Sequence, residues 1–265
     1  MAEAATAEAL QELDLRRVLA KSNQDYPFNN IATTCRLMGE ADVPEWFGGD
    51  CYDQVTRAIG LIREAGARAL YISSGVHFAL FLPDTDGGAY LDPTLNMREP
   101  ISMDSLRSGE MARAQTFPVV RGVSSFIGAR LEGNVLKSDW YRAISQGNQV
   151  VTRKLPPSNS FALTDAVESF DYAPERVKEF FRSSMVPRVS WNVIDTETGE
   201  MITVTVGGEV ISLRSSAQSG RIVEGNDGYD ALMERVANVT KASRQEIDEF
   251  LRLWRAKFNE LKAGV

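Results

Sequence analysis

Histidine occurs only once in the 265 residues, at position 77, and cysteine only twice, at Cys35 and Cys51. Chemistry that needs an imidazole therefore falls on His77, and no zinc-type spacing can be drawn from so few ligands, so a metal site is not expected. Long apolar runs are missing too: none reaches the roughly 18 residues of a spanning helix. An excess of positive charge is also absent. Lys and Arg number 29 against 36 Asp and Glu, a net charge of −7 that is spread along the chain rather than blocked. Neither nucleic acid nor an anionic membrane is thus an expected partner. The opening stretch MAEAATAEALQELDLRR carries acids where a secretory leader has a basic start and an apolar segment. The expectation is a cytoplasmic protein with both thiols reduced. No internal repeat or low-complexity tract interrupts the chain.

What is present is the composition of a globular protein, 43% hydrophobic and 25% charged, with length enough for about two structural units. Apolar spacing predicts a helix over 4–22, closed by Tyr26-Pro27, and a second, short helix over Asn29–Met38. From Cys51, Val55, Ala58, Ile59 and Ile62 mark one face of a helix that Gly66 stops. Strands are predicted at Leu70–Ile72, Val76–Leu82 and Ala89–Leu91, with a turn at Asp84–Gly88. A strand or two lie within Phe117–Ala129. Strand and turn signals mix over Trp140–Pro157, broken at Pro156-Pro157. Pro174–Phe181 suits a helix with proline in its first turn. Three strands follow over Val189–Leu213, with Gly207-Gly208 as a hairpin turn, and helices close the chain near Gly228–Val239 and Arg244–Leu261.

Cys51 follows Gly48-Gly49-Asp50 at the start of its helix. Unpaired amides and the positive end of the macrodipole favour thiolate there, and the glycines let the backbone turn and leave the sulfur approachable. A cysteine is more often a small buried hydrophobe, the reading that suits Cys35 in Thr33-Thr34-Cys35-Arg36-Leu37. His77 and Asp92 tip the balance for Cys51. They lie 15 residues apart about a centre between Asp84 and Thr85, where the turn signals fall. They should therefore meet across adjacent strands, directly opposed or nearly so. Asp92 among Tyr90, Leu91 and Leu95 is costly unless paired. In this reading His77 takes or shares the thiol proton, and Asp92 orients the ring and stabilises the imidazolium. A thiol pKa well below the usual value of about 8.5 is expected at Cys51, with Cys35 inert.

Gly48-Gly49-Asp50-Cys51-Tyr52-Asp53 resembles the glycine-glycine-x-cysteine-aromatic-acid motif of the arylamine N-acetyltransferases. Tyr26-Pro27-Phe28-Asn29-Asn30-Ile31 is similar to that family's upstream Pro-Phe-Glu-Asn segment, and the order Cys, His, Asp is similar to its triad. The likeness is clearest from about Tyr26 to Pro100. It implies an α+β fold of the Cys-His-Asp thiol superfamily: an N-terminal helical unit with the nucleophile, a β-barrel-like middle and an α/β C-terminal unit. On the predicted elements these fall at 1–72, 73–188 and 189–265. Carried over, Cys51 is the acyl-accepting nucleophile, His77 the base and Asp92 the orienting acid. Trp46, Phe47 and Tyr52 flank the nucleophile and suit an acyl pocket or core packing equally. Phe28, Phe47, Gly49 and Tyr52 form the candidate substrate-binding set.

Four departures bear on the substrate. Phe47 stands where the family has arginine, Asn29 where it has glutamate, and Asp92-Pro93-Thr94-Leu95 replaces Asp-Val-Gly-Phe-Gly. The Cys-to-His interval is also short. Proline removes a backbone donor, and threonine and leucine block the close approach that glycine allows. The expected function is an N-acyltransferase with no tightly bound cofactor. It would take an acyl-coenzyme A or carrier-protein thioester as cosubstrate and pass the acyl group to a small-molecule amine. The alternatives are an amide synthase releasing an acyl chain from an acyl carrier protein, a transglutaminase-like enzyme or thiol hydrolase, and a non-catalytic binding module.

Overall fold

The computed structural model describes residues 14–29, 43–75, 77–83, 88–120, 123–146, 149–170, 189–207, 210–217 and 220–263. Helix α1 (Leu15–Asp25) starts at Asp14, whose carboxylate accepts the amides of Arg16 and Arg17 at 3.0 and 3.2 Å. It ends at Asp25, where the expected Tyr26-Pro27 stop follows. The N-terminal part of the expected first helix, Cys35 and the helix expected over Pro174–Phe181 lie outside the described residues. So does most of the expected Asn29–Met38 helix. Its first residue is not helical: Asn29 belongs to β1 (Phe28–Asn29).

Helix α2 (Cys51–Glu64) buries Val55, Ala58, Ile59 and Ile62, the face its periodicity marks. Strands β2 (Leu70–Ser74), β3 (His77–Leu82), β4 (Ala89–Leu91) and β5 (Ile101–Ser102) form an antiparallel sheet in that order. Helix α3 (Met103–Arg107) leads to a four-stranded meander: β6 (Ala112–Val120), β7 (Val123–Glu132), β8 (Val135–Gln146) and β9 (Gln149–Ala162). The prolines at 156 and 157 do not break β9. They sit where the β8–β9 register slips, Ser138 facing Asn159 and Trp140 facing Leu155, so the missing amide donors fall in a bulge rather than a regular ladder.

The third sheet runs β1–β10–β11–β12–β13, with β10 (Val189–Asp195), β11 (Glu200–Val206), β12 (Ile211–Ser215) and β13 (Ile222–Val223). Helices α4 (Tyr229–Thr240) and α5 (Arg244–Ala263) follow. The fold is mixed α+β, and among the described residues none of its three antiparallel sheets closes into a barrel. The expected β-barrel-like middle is instead two open sheets. Closure needs tilted, staggered strands that meet edge to edge, and β4 and β5 are only three and two residues long. The expected cut after residue 72 falls inside β2, and β1 pairs with β10, so sheets cross the boundaries drawn between units.

Two main cores result. One joins α1 and α2 to the β2–β5 sheet and the meander through Leu19, Ile59, Leu80, Tyr90, Leu136 and Phe161. The other packs α4 and α5 on the third sheet through Trp191, Val204, Leu213, Met233, Leu251 and Trp254. No helix among the described residues is long and apolar enough to cross a membrane. Trp254 is 2% exposed and its ring lies 6.2 Å from that of Phe250. Trp254→Ala is expected to cost about 3–5 kcal/mol, read as a lower urea midpoint at unchanged slope; a shift near zero would mean that α5 is not part of the cooperative unit.

Candidate active site

The approach to Cys51 is built from two stretches locked side by side. Gly49 N donates to Pro27 O at 3.1 Å, and Asn29 N donates to Gly49 O at 2.8 Å, with Phe28 bridging Gly49 in parallel. Gly48 has φ +80, and a side chain there would overlap the Pro27 carbonyl, while one at Gly49 would overlap the Asp53 carboxylate. The chain then enters α2 through a capping box. Asp50 Oδ1 accepts the Tyr52 and Asp53 amides at 2.9 and 3.1 Å, and Asp50 N donates to Asp53 Oδ2 at 3.0 Å. The thiol of Cys51 lies at the first helical residue, half-buried.

Strands β3 and β4 bring the other two side chains. Their register pairs Leu80 with Leu91 and Phe81 with Tyr90. Continued one step, it sets Asp92 opposite Ala79 rather than His77. The offset is two residues, and side chains alternate faces with period two. Asp92 therefore stays on the face of His77 as its diagonal neighbour, within reach of a long side chain. His77 Nε2 lies 2.7 Å from Asp92 Oδ2. The Cys51 thiol is hydrogen-bonded to the His77 ring and to the Phe78 backbone amide. The three residues singled out in the sequence thus converge.

Asp92 is fully buried, and its carboxylate has three polar partners, His77 among them. Tyr90 Oη donates to Oδ2 at 3.0 Å and the Leu95 amide to Oδ1 at 3.1 Å, while Tyr90 Oη also lies 3.2 Å from Ser138 Oγ of β8. Burial, together with the Asp92 charge, holds the Tyr90 phenol well above its ordinary value, so it remains a donor. Spacing offered one clue to Tyr90, since residues two apart on a strand share a face. Nothing local pointed to Ser138, which comes from another sheet.

The charges do not match the expected low thiol pKa. Burial pushes the Cys51 thiol up, the Asp50 carboxylate adds to this, and the hydrogen bond from His77 only partly offsets them. The helix N-terminus cannot supply the difference, because its first amides are already bound to Asp50. His77 moves the other way. Burial alone would lower it, but the Asp92 charge and hydrogen bond override this and push it up to about 10. At neutral pH the site is thus a thiol beside an imidazolium held by a carboxylate. The imidazolium–carboxylate attraction stabilises the fold fully below about 6.5 and is lost as pH climbs through about 10.

The candidate substrate-binding residues scatter. Phe47 is fully buried, its ring 4.6 Å from Trp191 and 4.4 Å from Phe250, and it belongs to the second core rather than a pocket. Of the two readings of Phe47, acyl pocket or core packing, its position fits core packing. Gly49 is spent on backbone pairing, and Phe28 pairs with Asn192 in β1. Tyr52 stays beside the thiol, stacked on Tyr71 at 5.9 Å, its hydroxyl donating to Phe170 O at 3.0 Å. Asn29 Nδ2 donates to the Phe47 backbone carbonyl at 2.8 Å.

Compared with protein-family models and with curated proteins, the chain matches none.

Asp50→Asn keeps an N-cap and removes the charge next to the thiol. Its iodoacetamide labelling should be faster than wild type at a fixed, mildly alkaline pH, with the alkylation midpoint moved to lower pH. An unchanged or raised midpoint would remove Asp50 as a cause of the high thiol pKa.

Proposed function

We propose that the protein is a thiol-dependent N-acyltransferase that passes an acyl group from a thioester to an amine through an acyl-Cys51 intermediate. One observation carries this reading: the sole histidine joins a thiol at a helix start to a fully buried carboxylate. A structural histidine has no need of both partners, whereas nucleophile activation requires them.

In the first half-reaction the Cys51 thiolate attacks the thioester carbonyl, the carbonyl–sulfur bond of the donor breaks, and the departing thiolate takes the proton of the His77 imidazolium. In the second, an amine attacks acyl-Cys51, neutral His77 accepts the amine proton, and Cys51 leaves as thiolate beside a restored imidazolium. Asp92 holds the ring and balances its charge in both steps, and Tyr90 holds Asp92. Because both thiol and imidazole titrate high, the productive form with one proton fewer than the resting site gains population as pH rises above neutral. The resemblance to arylamine N-acetyltransferases supports the same chemistry. Incubated with a panel of acyl thioesters, the protein should gain one acyl mass that Cys51→Ala abolishes; no increment with any donor would overturn the acyltransferase reading.

The donor differs from acetyl in this proposal. Asn96 N donates to Pro93 O at 2.9 Å, and the Leu95 amide turns to Asp92. These two amides are spent internally. Acetyl-coenzyme A with simple arylamines should therefore give a lower kcat/KM than longer or carrier-linked donors. A value of about 10⁴ M⁻¹s⁻¹ or better for acetyl transfer to arylamines would contradict this.

A further inference from the structure

A second site lies away from Cys51, between the meander and the third sheet. A cavity of about 230 Å³ opens there, walled by Arg142 and Ile144 of β8, Met201 and Thr203 of β11, and Arg214 and Ser216 at the end of β12. Met201 separates it from the Asp92 turn, since Asn96 Nδ2 lies 3.8 Å from Met201 Sδ.

Two cations line so small a space. Arg142 is half-buried and held by its face contact with the Trp140 ring, 5.4 Å from guanidinium carbon to centroid. Among the described residues neither Arg142 nor Arg214 has an ion pair or hydrogen bond. Glu200, which accepts from the cavity-lining Ser215, is also ion-paired with Arg235. Burial and the Arg214 charge hold the Arg142 guanidinium below its ordinary value, the mark of a cation lacking a counter-charge.

We propose that this cavity binds a phosphate group through the forked donors of Arg142 and Arg214. Guanidinium pairs match phosphate oxygens in charge and in planar geometry. The Ser216 hydroxyl accepts the Met201 amide at 2.9 Å and keeps its own proton for a ligand oxygen. The volume suits an anionic head group rather than a whole drug-sized ligand. The proposal does not depend on Cys51 chemistry.

The test is calorimetric titration of the full chain with inorganic phosphate, and separately with a phosphate monoester such as glycerol phosphate, against chloride at matched ionic strength. Saturable binding is expected, weakened about tenfold or more in both Arg214→Gln and Arg142→Gln. Arg214 is exposed, so its variant is safe to fold. Without phosphate, each variant should also melt at a higher temperature than wild type, because like-charge repulsion is relieved. Binding of both phosphate and monoester marks a head-group site; binding of inorganic phosphate alone marks a free-anion site. No saturable binding of either, or affinities unchanged in both variants, would overturn the proposal.

Discussion

A carboxylate that is 0% exposed is expensive in a protein interior unless donors surround it, and Asp92 draws its donors from two adjacent strands and the turn that follows. His77 comes from β3, Tyr90 from β4, and the Leu95 amide from the turn that follows. Tyr90 then reaches Ser138 in the meander, so one buried charge ties two sheets together. Through His77 the same network reaches the first residue of α2. The Asp92 turn is held from behind, where the Met97 amide donates to Asp92 O at 3.3 Å and Asn23 Nδ2 of α1 donates to Met97 O at 3.0 Å. Removing the carboxylate would orphan several buried donors at once, which makes its placement a constraint on the fold as well as on the chemistry.

The thiol end of the network is governed by competition for the same helix terminus. A helix start favours an anion, but two aspartates of a capping box occupy that position before the sulfur can. The terminus thereby stabilises α2 and its turn of entry, while the thiol stays protonated at rest. His77, held by Asp92, takes on the positive charge instead. At rest the arrangement is thus an imidazolium–carboxylate pair beside a thiol.

The same tension between folding and use recurs at the cavity between the meander and the third sheet. Apolar walls such as Ile144 and Met201 favour burial, yet two arginines face the space without an acid among the described residues. Satisfied hydrogen bonds and opposite charges prevail elsewhere, as where Arg244 meets Asp248 and Asp230. A departure from local consistency is where function is to be sought.

The amino-acid order by itself determined what local spacing controls. The apolar face of α2 is a matter of 3.6-residue periodicity, and the strands about His77 follow from short apolar runs bounded by turns. The convergence of Cys51, His77 and Asp92 was legible for a related reason. A single histidine leaves no choice of partner, and a hairpin tolerates a register error of two without changing faces. Tertiary structure alone decided the rest. Phe47 is a core residue because Trp191 and Phe250, more than 140 positions away, close over it. β1 joins the third sheet because β10 offers an edge, and which edges meet, there and in the meander, is something strand periodicity does not encode. The thiol titrates high because burial and Asp50 together outweigh His77. Spacing reports neighbours along the chain, whereas solvation, edge pairing and counter-charges depend on residues that only the folded chain brings together.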